Sequence, residues 1–182
     1  MSEPDPATRQ ALLQTVERYY ADRLREFGAT ARGVDWNSAE SQVLRFTQLL
    51  QVLPEGASQA GTSLLDLGCG YGALLDLVRA RGLGLDYRGY DISGDMVAAA
   101  RDRHAGDGAA RFSTDLAAFG PSDVAVASGV FNVKLDTPVE AWHDYVWSTI
   151  ETLHAVSTQG FAFNMLSTYS DPGRRKASLY YA

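Results

Sequence analysis

Residues 64–72 read Leu64-Leu65-Asp66-Leu67-Gly68-Cys69-Gly70-Tyr71-Gly72, and the string Ala73-Leu74-Leu75-Asp76-Leu77-Val78 follows at once. An apolar run of strand length that breaks into three alternate glycines and then a helical pattern reads as strand, loop and helix. Glycine lets the loop turn tightly and lets a ligand approach backbone where a Cβ would stand in the way. The helix behind it presents unpaired N–H groups to an anionic or polar ligand group.

Further along, Tyr87-Arg88-Gly89-Tyr90-Asp91 reads as a second strand ending in a carboxylate. Its distance from the last glycine is close to the ~20 residues that separate such a loop from an acidic residue accepting ribose hydroxyls. Two carboxylate oxygens match two hydroxyls, so the pair of features implies a nucleoside ligand. Gly68-x-Gly70-x-x-Ala73 also satisfies the relaxed dinucleotide fingerprint. Asp66 opposes that reading: a carboxylate at the strand end repels a pyrophosphate and suits an ammonium group. A nicotinamide-dependent oxidoreductase is therefore disfavoured.

Strand and helix alternate on either side of this unit. Ser63–Leu67, Asp86–Tyr90, Arg111–Ser113, Asp123–Ser128 and Gly160–Leu166 read as strands. Ala73–Arg81, Gly94–His104 and Pro138–Val156 read as helices, the last with Thr137 as cap and Glu140 closing a capping box. Parallel strands need such crossovers, which implies a Rossmann-like, doubly wound α/β fold with a mostly parallel sheet. Upstream, a helix starts at Asp5-Pro6 and stops at Gly28, and Ala29–Trp36 reads as a loop. Asn37-x-x-Glu40 opens a second amphipathic helix through Val43, Phe46, Leu49, Leu50 and Leu53 to Pro54, and Pro54–Ser63 is a linker. Residues 1–62 thus form a helical cap or lid region and 63–182 the core, in a single domain.

The chain has 182 residues, 46% hydrophobic and 21% charged, with a formal charge of -6. That balance weighs against a nucleic-acid-binding surface. The lone cysteine, Cys69, excludes an intramolecular disulfide. No apolar run approaches the ~20 residues of a membrane span, and the polar N-terminus lacks a signal pattern. A cytoplasmic enzyme is the default expectation.

With these residues on the page, the sequence resembles class I S-adenosylmethionine-dependent methyltransferases, whose first motif commonly reads like LLDLGCGYG. The likeness spans roughly Ser63 to Leu166. GVDWNSAESQ (33–42), SGVFNVK (128–134) and GFAFNMLSTYSD (160–171) resemble a bacterial branch of that superfamily. The resemblance implies S-adenosyl-L-methionine as cofactor. Gly68, Cys69, Gly70, Tyr71 and Gly72 would wrap its methionine part, with Asp66 near the amino group and Asp91 on the ribose. Ile92 and Met96 would line the adenine pocket and Asp115 would stand near the adenine amino group. Ser93, Thr114, Leu116, Ser128, Gly129 and Trp36 complete the implied cofactor set. The lack of an Asn/Asp-Pro-Pro-Tyr/Phe string after the fourth strand argues, by the same resemblance, for a small-molecule acceptor over a nucleic-acid base.

No residue announces itself as a base. Asn132, Lys134 and His143 are the catalytic candidates, the first two beside the expected methyl position and the third on the following helix. Solvated loop and helix-surface positions explain them nearly as well. Cys69 reads as a small loop residue, not a nucleophile, because no histidine lies near it in sequence. His104, His143 and His154 lack metal-ligand spacing, so no metal is expected. Trp36 reads as part of a lid, with Gln42 and Arg45 in the same segment.

The family's sheet continues past the fifth strand with a helix and a strand pair. The residues after Leu166 are too few for these, which implies a C-terminally truncated chain whose fifth strand is an exposed edge prone to self-association. The competing reading is a non-catalytic module that binds S-adenosylmethionine or S-adenosylhomocysteine.

Overall fold

The computed structural model describes residues 6–57, 61–169, 173 and 175–182. Five parallel strands, β1 (Ser63–Leu67), β2 (Asp86–Tyr90), β3 (Ala110–Ser113), β4 (Ser122–Ala127) and β5 (Ser157–Phe163), form one sheet in the order β3-β2-β1-β4-β5. The order reverses between β1 and β4. In an open α/β sheet that reversal leaves a crevice outside the carboxyl ends of the strands, the usual place for a ligand.

The central strand is buried on both faces because its residues are apolar nearly throughout. Leu64 joins a core built from Phe46, Leu74, Leu75, Val78 and Val97. Leu65 and Leu67 face the opposite core with Ala125, Ala127 and Leu153. The helices supply the two covers: α2 (Ala39–Leu49), α3 (Ala73–Ala80) and α4 (Gly94–Arg103) on the first face, α5 (Val139–Val156) on the second. A third cluster joins α1 (Pro6–Phe27), through Leu12, to Phe131, Trp142, Val146 and Tyr180. At the opposite end of the sheet, Ser63 N and Oγ donate to Asp123 Oδ2 at 2.8 and 2.7 Å and tie β1 to β4.

Several expected boundaries move. β3 begins at Ala110, β4 at Ser122, and β5 starts at Ser157 and ends at Phe163. Helix α5 passes into β5 without a loop, which is why that strand starts early. The Ala29–Trp36 loop contains a short 3-10 turn, Ala31–Val34, whose cap Thr30 accepts from Gly33 N. The cap of α2 is Ser38, accepting from Ser41 N, instead of Asn37. Its buried face is consequently Gln42, Phe46 and Leu49, and Val43 is left 44% exposed. Pro138 occupies the cap position of α5 with no side-chain bond, so the Thr137–Glu140 box does not form. Asp5 and residues 58–60 of the linker lie outside the described residues.

β3 and β5 are the sheet edges among the described residues. The 176–182 segment folds back: Leu179 bridges Val133, Tyr181 bridges Leu166, and Tyr180 is buried. Tyr180 N donates to Asn132 O at 2.8 Å.

Candidate functional site

A cavity of about 260 Å³ opens at the β1/β4 reversal. Its floor is the carboxyl ends of the strands: Asp66 to Tyr71 at the end of β1, Tyr90 to Ser93 at the end of β2, and Ser128 to Val130 after β4. Met96 of α4 and Leu116 close one end. Tyr145, Thr149 and Thr152 of α5 form a side wall. The roof is the N-terminal region, with Arg9, Leu13, Val16, Glu17 and Tyr20 from α1, then Val34, Trp36, Gln42 and Phe46.

Three features of the floor follow from glycine. Gly68 and Gly70 have φ of +81° and +53°, a left-handed backbone that favours residues without a Cβ. A Cβ on Gly68 would meet Val130 Cγ1 at 2.2 Å. Roof and floor touch at two glycines: a Cβ on Gly70 would lie 3.3 Å from Val34 Cγ1, and one on Gly129 3.3 Å from Trp36 Cζ2. The cap segment therefore rests directly on the turns that shape the cavity.

Two of the three expected carboxylates, Asp66 and Asp91, occupy this one cavity. Asp66 is 2% exposed and takes a hydrogen bond from the Tyr87 hydroxyl. Burial pushes its carboxyl up to about 7, against the opposing pull of that hydroxyl. Asp91 Oδ2 accepts from Gly70 N at 2.8 Å and Oδ1 from Ser93 N at 2.9 Å. Burial raises Asp91 too, while these two N–H groups hold it down. Each oxygen keeps a further lone pair for a ligand hydroxyl.

Cys69, Tyr71, Ile92, Ser93, Met96, Leu116, Ser128, Gly129 and Trp36 all line the cavity. The Cys69 thiol is buried and pushed well up by burial and by Asp91 and Asp66, so it carries no thiolate. Gly72, Thr114 and Asp115 do not line it. Gly72 is the cap of α3, and its carbonyl accepts from His104 Nε2 at 3.0 Å. Thr114 and Asp115 are exposed, and the Asp115 carboxylate accepts from Ala117 N at a short 3-10 turn.

The structure does not bring the three catalytic candidates to the cavity. Lys134 Nζ turns back to the carbonyls of Leu135 and Thr137 at 3.1 and 3.2 Å. His143 lies on the outer face of α5, its Nε2 accepting from Trp147 Nε1 at 2.9 Å. Asn132 is fixed in the post-β4 loop through its backbone. Arg45 is exposed and outside the lining, whereas Gln42 is buried and lines it.

Residues that single-motif reading passed over come from helices. Leu13, Val16, Glu17 and Tyr20 recur at 3–4-residue spacing on α1, and Tyr145, Thr149 and Thr152 do so on α5. That stripe signals a buried face but not whether it meets core or ligand. Asn164, just past β5, is the other. Its Oδ1 accepts from Gly129 N at 2.9 Å and its Nδ2 donates to Ser128 Oγ at 3.1 Å.

Known proteins are similar to this chain in sequence or fold. The family model described as methyltransferase domain matches residues 65–160. A Mycobacterium tuberculosis protein assigned as a methyltransferase is 45% identical over 120 residues, 66% of this chain and 72% of its own length. Magnesium protoporphyrin IX methyltransferase from Synechocystis PCC 6803, solved with bound S-adenosylmethionine, superposes with a TM-score of 0.59. It is 19% identical, and the match covers 100% of this chain and 82% of that one. Phosphoethanolamine N-methyltransferase 1 of Haemonchus contortus, solved with S-adenosylhomocysteine, gives a TM-score of 0.63 at 13% identity, covering 100% of this chain and 37% of that one. At these identities the two structures speak to the fold. The sequence matches speak to the family, and the chain belongs to the methyltransferase-domain family as an S-adenosylmethionine-dependent methyltransferase.

Proposed function

We propose that the β1/β4 cavity is the cofactor site and that the enzyme methylates a small-molecule acceptor entering beneath the α1 roof. The observation that carries the reading is the charge of the lining. Glu17, Asp66 and Asp91 place three carboxylates around the cavity against one guanidinium, Arg9. Such a wall suits a ligand bearing a sulfonium and an ammonium and repels a pyrophosphate.

In this reading Asp66 holds the ammonium and Asp91 the ribose hydroxyls, with the loop from Gly68 to Gly72, including Cys69 and Tyr71, around the methionine part. Ile92, Ser93, Met96 and Leu116 surround the adenine, and Thr114 and Asp115 stand at the outer edge of that pocket. Ser128 and Gly129 face the reacting end beneath Trp36. When bound, the cofactor would supply a sulfonium methyl group, whose bond to sulfur breaks to a neutral thioether as the acceptor's bond to the methyl carbon forms. The chain's own task is alignment of nucleophile, methyl carbon and sulfur, worth ~7–11 kcal/mol in favourable cases.

A base is required only if the acceptor must lose a proton. Burial holds the lining phenols neutral, raising Tyr145 to about 12 and Tyr20 further still. These walls suit an acceptor whose nucleophilic lone pair is free near neutral pH. The formal charge of -6 argues against a nucleic-acid acceptor. Among the described residues no helix is long and apolar enough to cross a membrane. Residues 1–62 act as a cap on the 63–182 core, and the outer edge of β5 offers a place for self-association.

Thermal unfolding with S-adenosylmethionine, S-adenosylhomocysteine and NAD tests the cofactor site. A ligand at ~100 times its Kd stabilises the native state by ~2.7 kcal/mol, a rise of roughly 5–10 °C for a domain of this size. Both sulfur nucleosides should produce it and NAD should not. Formation of S-adenosylhomocysteine across a panel of small nucleophiles then tests the acceptor. A shift with NAD alone would overturn the reading.

A further inference from the structure

Asn164 has an amide orientation that only one assignment satisfies. Gly129 N can only donate, so Oδ1 must face it, at 2.9 Å, and Nδ2 must face Ser128 Oγ, at 3.1 Å. Because Nδ2 donates, the Ser128 oxygen is the acceptor of that bond and its own proton must point elsewhere. Among the described residues no acceptor takes it, and Ser128 lines the cavity. Asn164 itself is fixed by its backbone, N to Ala127 O at 3.3 Å, one residue beyond the β4–β5 pairing.

We propose that Asn164 is a positioning residue that turns the Ser128 hydroxyl into a donor for the amino-acid carboxylate of the bound cofactor. This rests on the assignment of Asp66 to the ammonium given above. Asp66 pairs with Val126 across β1 and β4, and Ser128 follows two residues on. The carboxylate of an amino acid sits on the same carbon as its ammonium. Asp66 repels it, so it turns to donors elsewhere on the cavity lining, and the Ser128 hydroxyl, whose proton no described residue takes, is one of them. Strand β5, which contributes no lining side chain of its own, thereby sets the polarity of the floor through one amide.

The sharpest variant is Asn164→Asp. Aspartate still accepts from Gly129 N, but it cannot donate, so it draws the Ser128 proton to itself and away from the cavity. Ser128→Ala removes the donor outright and keeps the Asn164 Oδ1 bond with Gly129 N, although Nδ2 loses its acceptor. The readout is the ratio of calorimetric affinities for S-adenosylhomocysteine and its decarboxylated analogue. The charge that Asn164→Asp adds acts on the ammonium of both ligands but also repels the carboxylate that only one of them carries, so the uncharged Ser128→Ala decides. A hydrogen bond to a charged group predicts that each variant lowers the wild-type preference for the carboxylated ligand about tenfold. The double variant should lower it no further than Asn164→Asp alone, since both changes remove one bond. A ratio within about twofold of wild type in Ser128→Ala, or losses that multiply in the double variant, would overturn the proposal. A wild-type chain that binds neither ligand would overturn the cofactor site together with it, so the two failures are told apart.

Discussion

Gly70 donates its backbone N–H to Asp91 Oδ2 at 2.8 Å, so the carboxylate just past β2 also fastens the glycine loop that follows β1. The same side chain receives Ser93 N on its other oxygen and sets the approach to α4. One residue thus positions two ligand-facing turns before any ligand is present. Replacing it should separate binding from folding imperfectly. Asp91→Ala is expected to abolish measurable S-adenosylhomocysteine binding and to cost ~1–3 kcal/mol in stability, because two buried N–H groups lose their acceptor. Asp91→Asn keeps one acceptor oxygen and presents an NH2 to the other N–H, so it should fall between. Calorimetry and denaturant unfolding check both, and full binding by the alanine variant would remove Asp91 from the site.

Asp66 makes ligand binding depend on pH. Its carboxyl lies near 7 in the folded chain against 3.8 as a free side chain, chiefly through burial. A group raised on folding stabilises the native state while protonated. That contribution is full below pH ~4 and is lost as pH rises through about 7. An ammonium partner restores what the ionised form loses, so ligand-free stability should fall between about pH 4 and 7 while the ligand-induced rise in Tm grows. The growth should stop near pH 8, where an α-amino group itself deprotonates. Asp66→Asn should flatten the acid side of this profile. A profile unchanged in that variant would assign the dependence elsewhere.

How the sequence announced the site explains what it left out. Strands β1 and β2 were legible to the residue because Leu64–Leu67 and Tyr87–Tyr90 end at residues whose chemistry is local, a glycine turn and a carboxylate. The cap of α2 was misjudged by one position because Asn37 and Ser38 are both good caps, and only the tertiary seat of Gln42 in the cavity wall selects between them. The roof was legible as helix but not as lining, since Val16 and Tyr20 on an apolar stripe look alike whether they meet core or ligand. Asn164 lay within the quoted 160–171 string but carried no signal of its role. Its role depends on the pairing of Ala127 with Phe163, a contact across 36 residues.

Gly68 should not tolerate a side chain. With φ at +81°, alanine there is strained whatever the space, and its Cβ would strike Val130 Cγ1 at 2.2 Å. Gly68→Ala is expected to destabilise the fold by ~1–3 kcal/mol and to weaken cofactor binding at least tenfold. Adding Val130→Ala removes the collision but not the backbone strain, so it should restore binding in part and stability less. Equal and full recovery of both would show that the collision alone mattered.

Asp35 latches the roof. It sits at φ +63°, accepts a hydrogen bond from the Tyr19 hydroxyl, and pairs with Arg23 Nη2 at 2.8 Å. Its neighbours Val34 and Trp36 are the residues that rest on Gly70 and Gly129. Tyr19 is raised to about 12, first by burial and then by this carboxylate, so it stays a donor across the working pH range. Asp35→Asn tolerates the left-handed backbone and keeps an acceptor for Tyr19, losing mainly the charge pair, worth about 1 kcal/mol for a partly exposed pair. Asp35→Ala loses both bonds and keeps the strain. The expected order of S-adenosylhomocysteine dissociation rates in stopped flow is wild type slowest, then Asn, then Ala, with association less affected. Hydrogen exchange of the 31–36 amides should rise in the same order. Dissociation unchanged in Asp35→Ala, with exchange raised, would mean that the roof opens without gating the ligand.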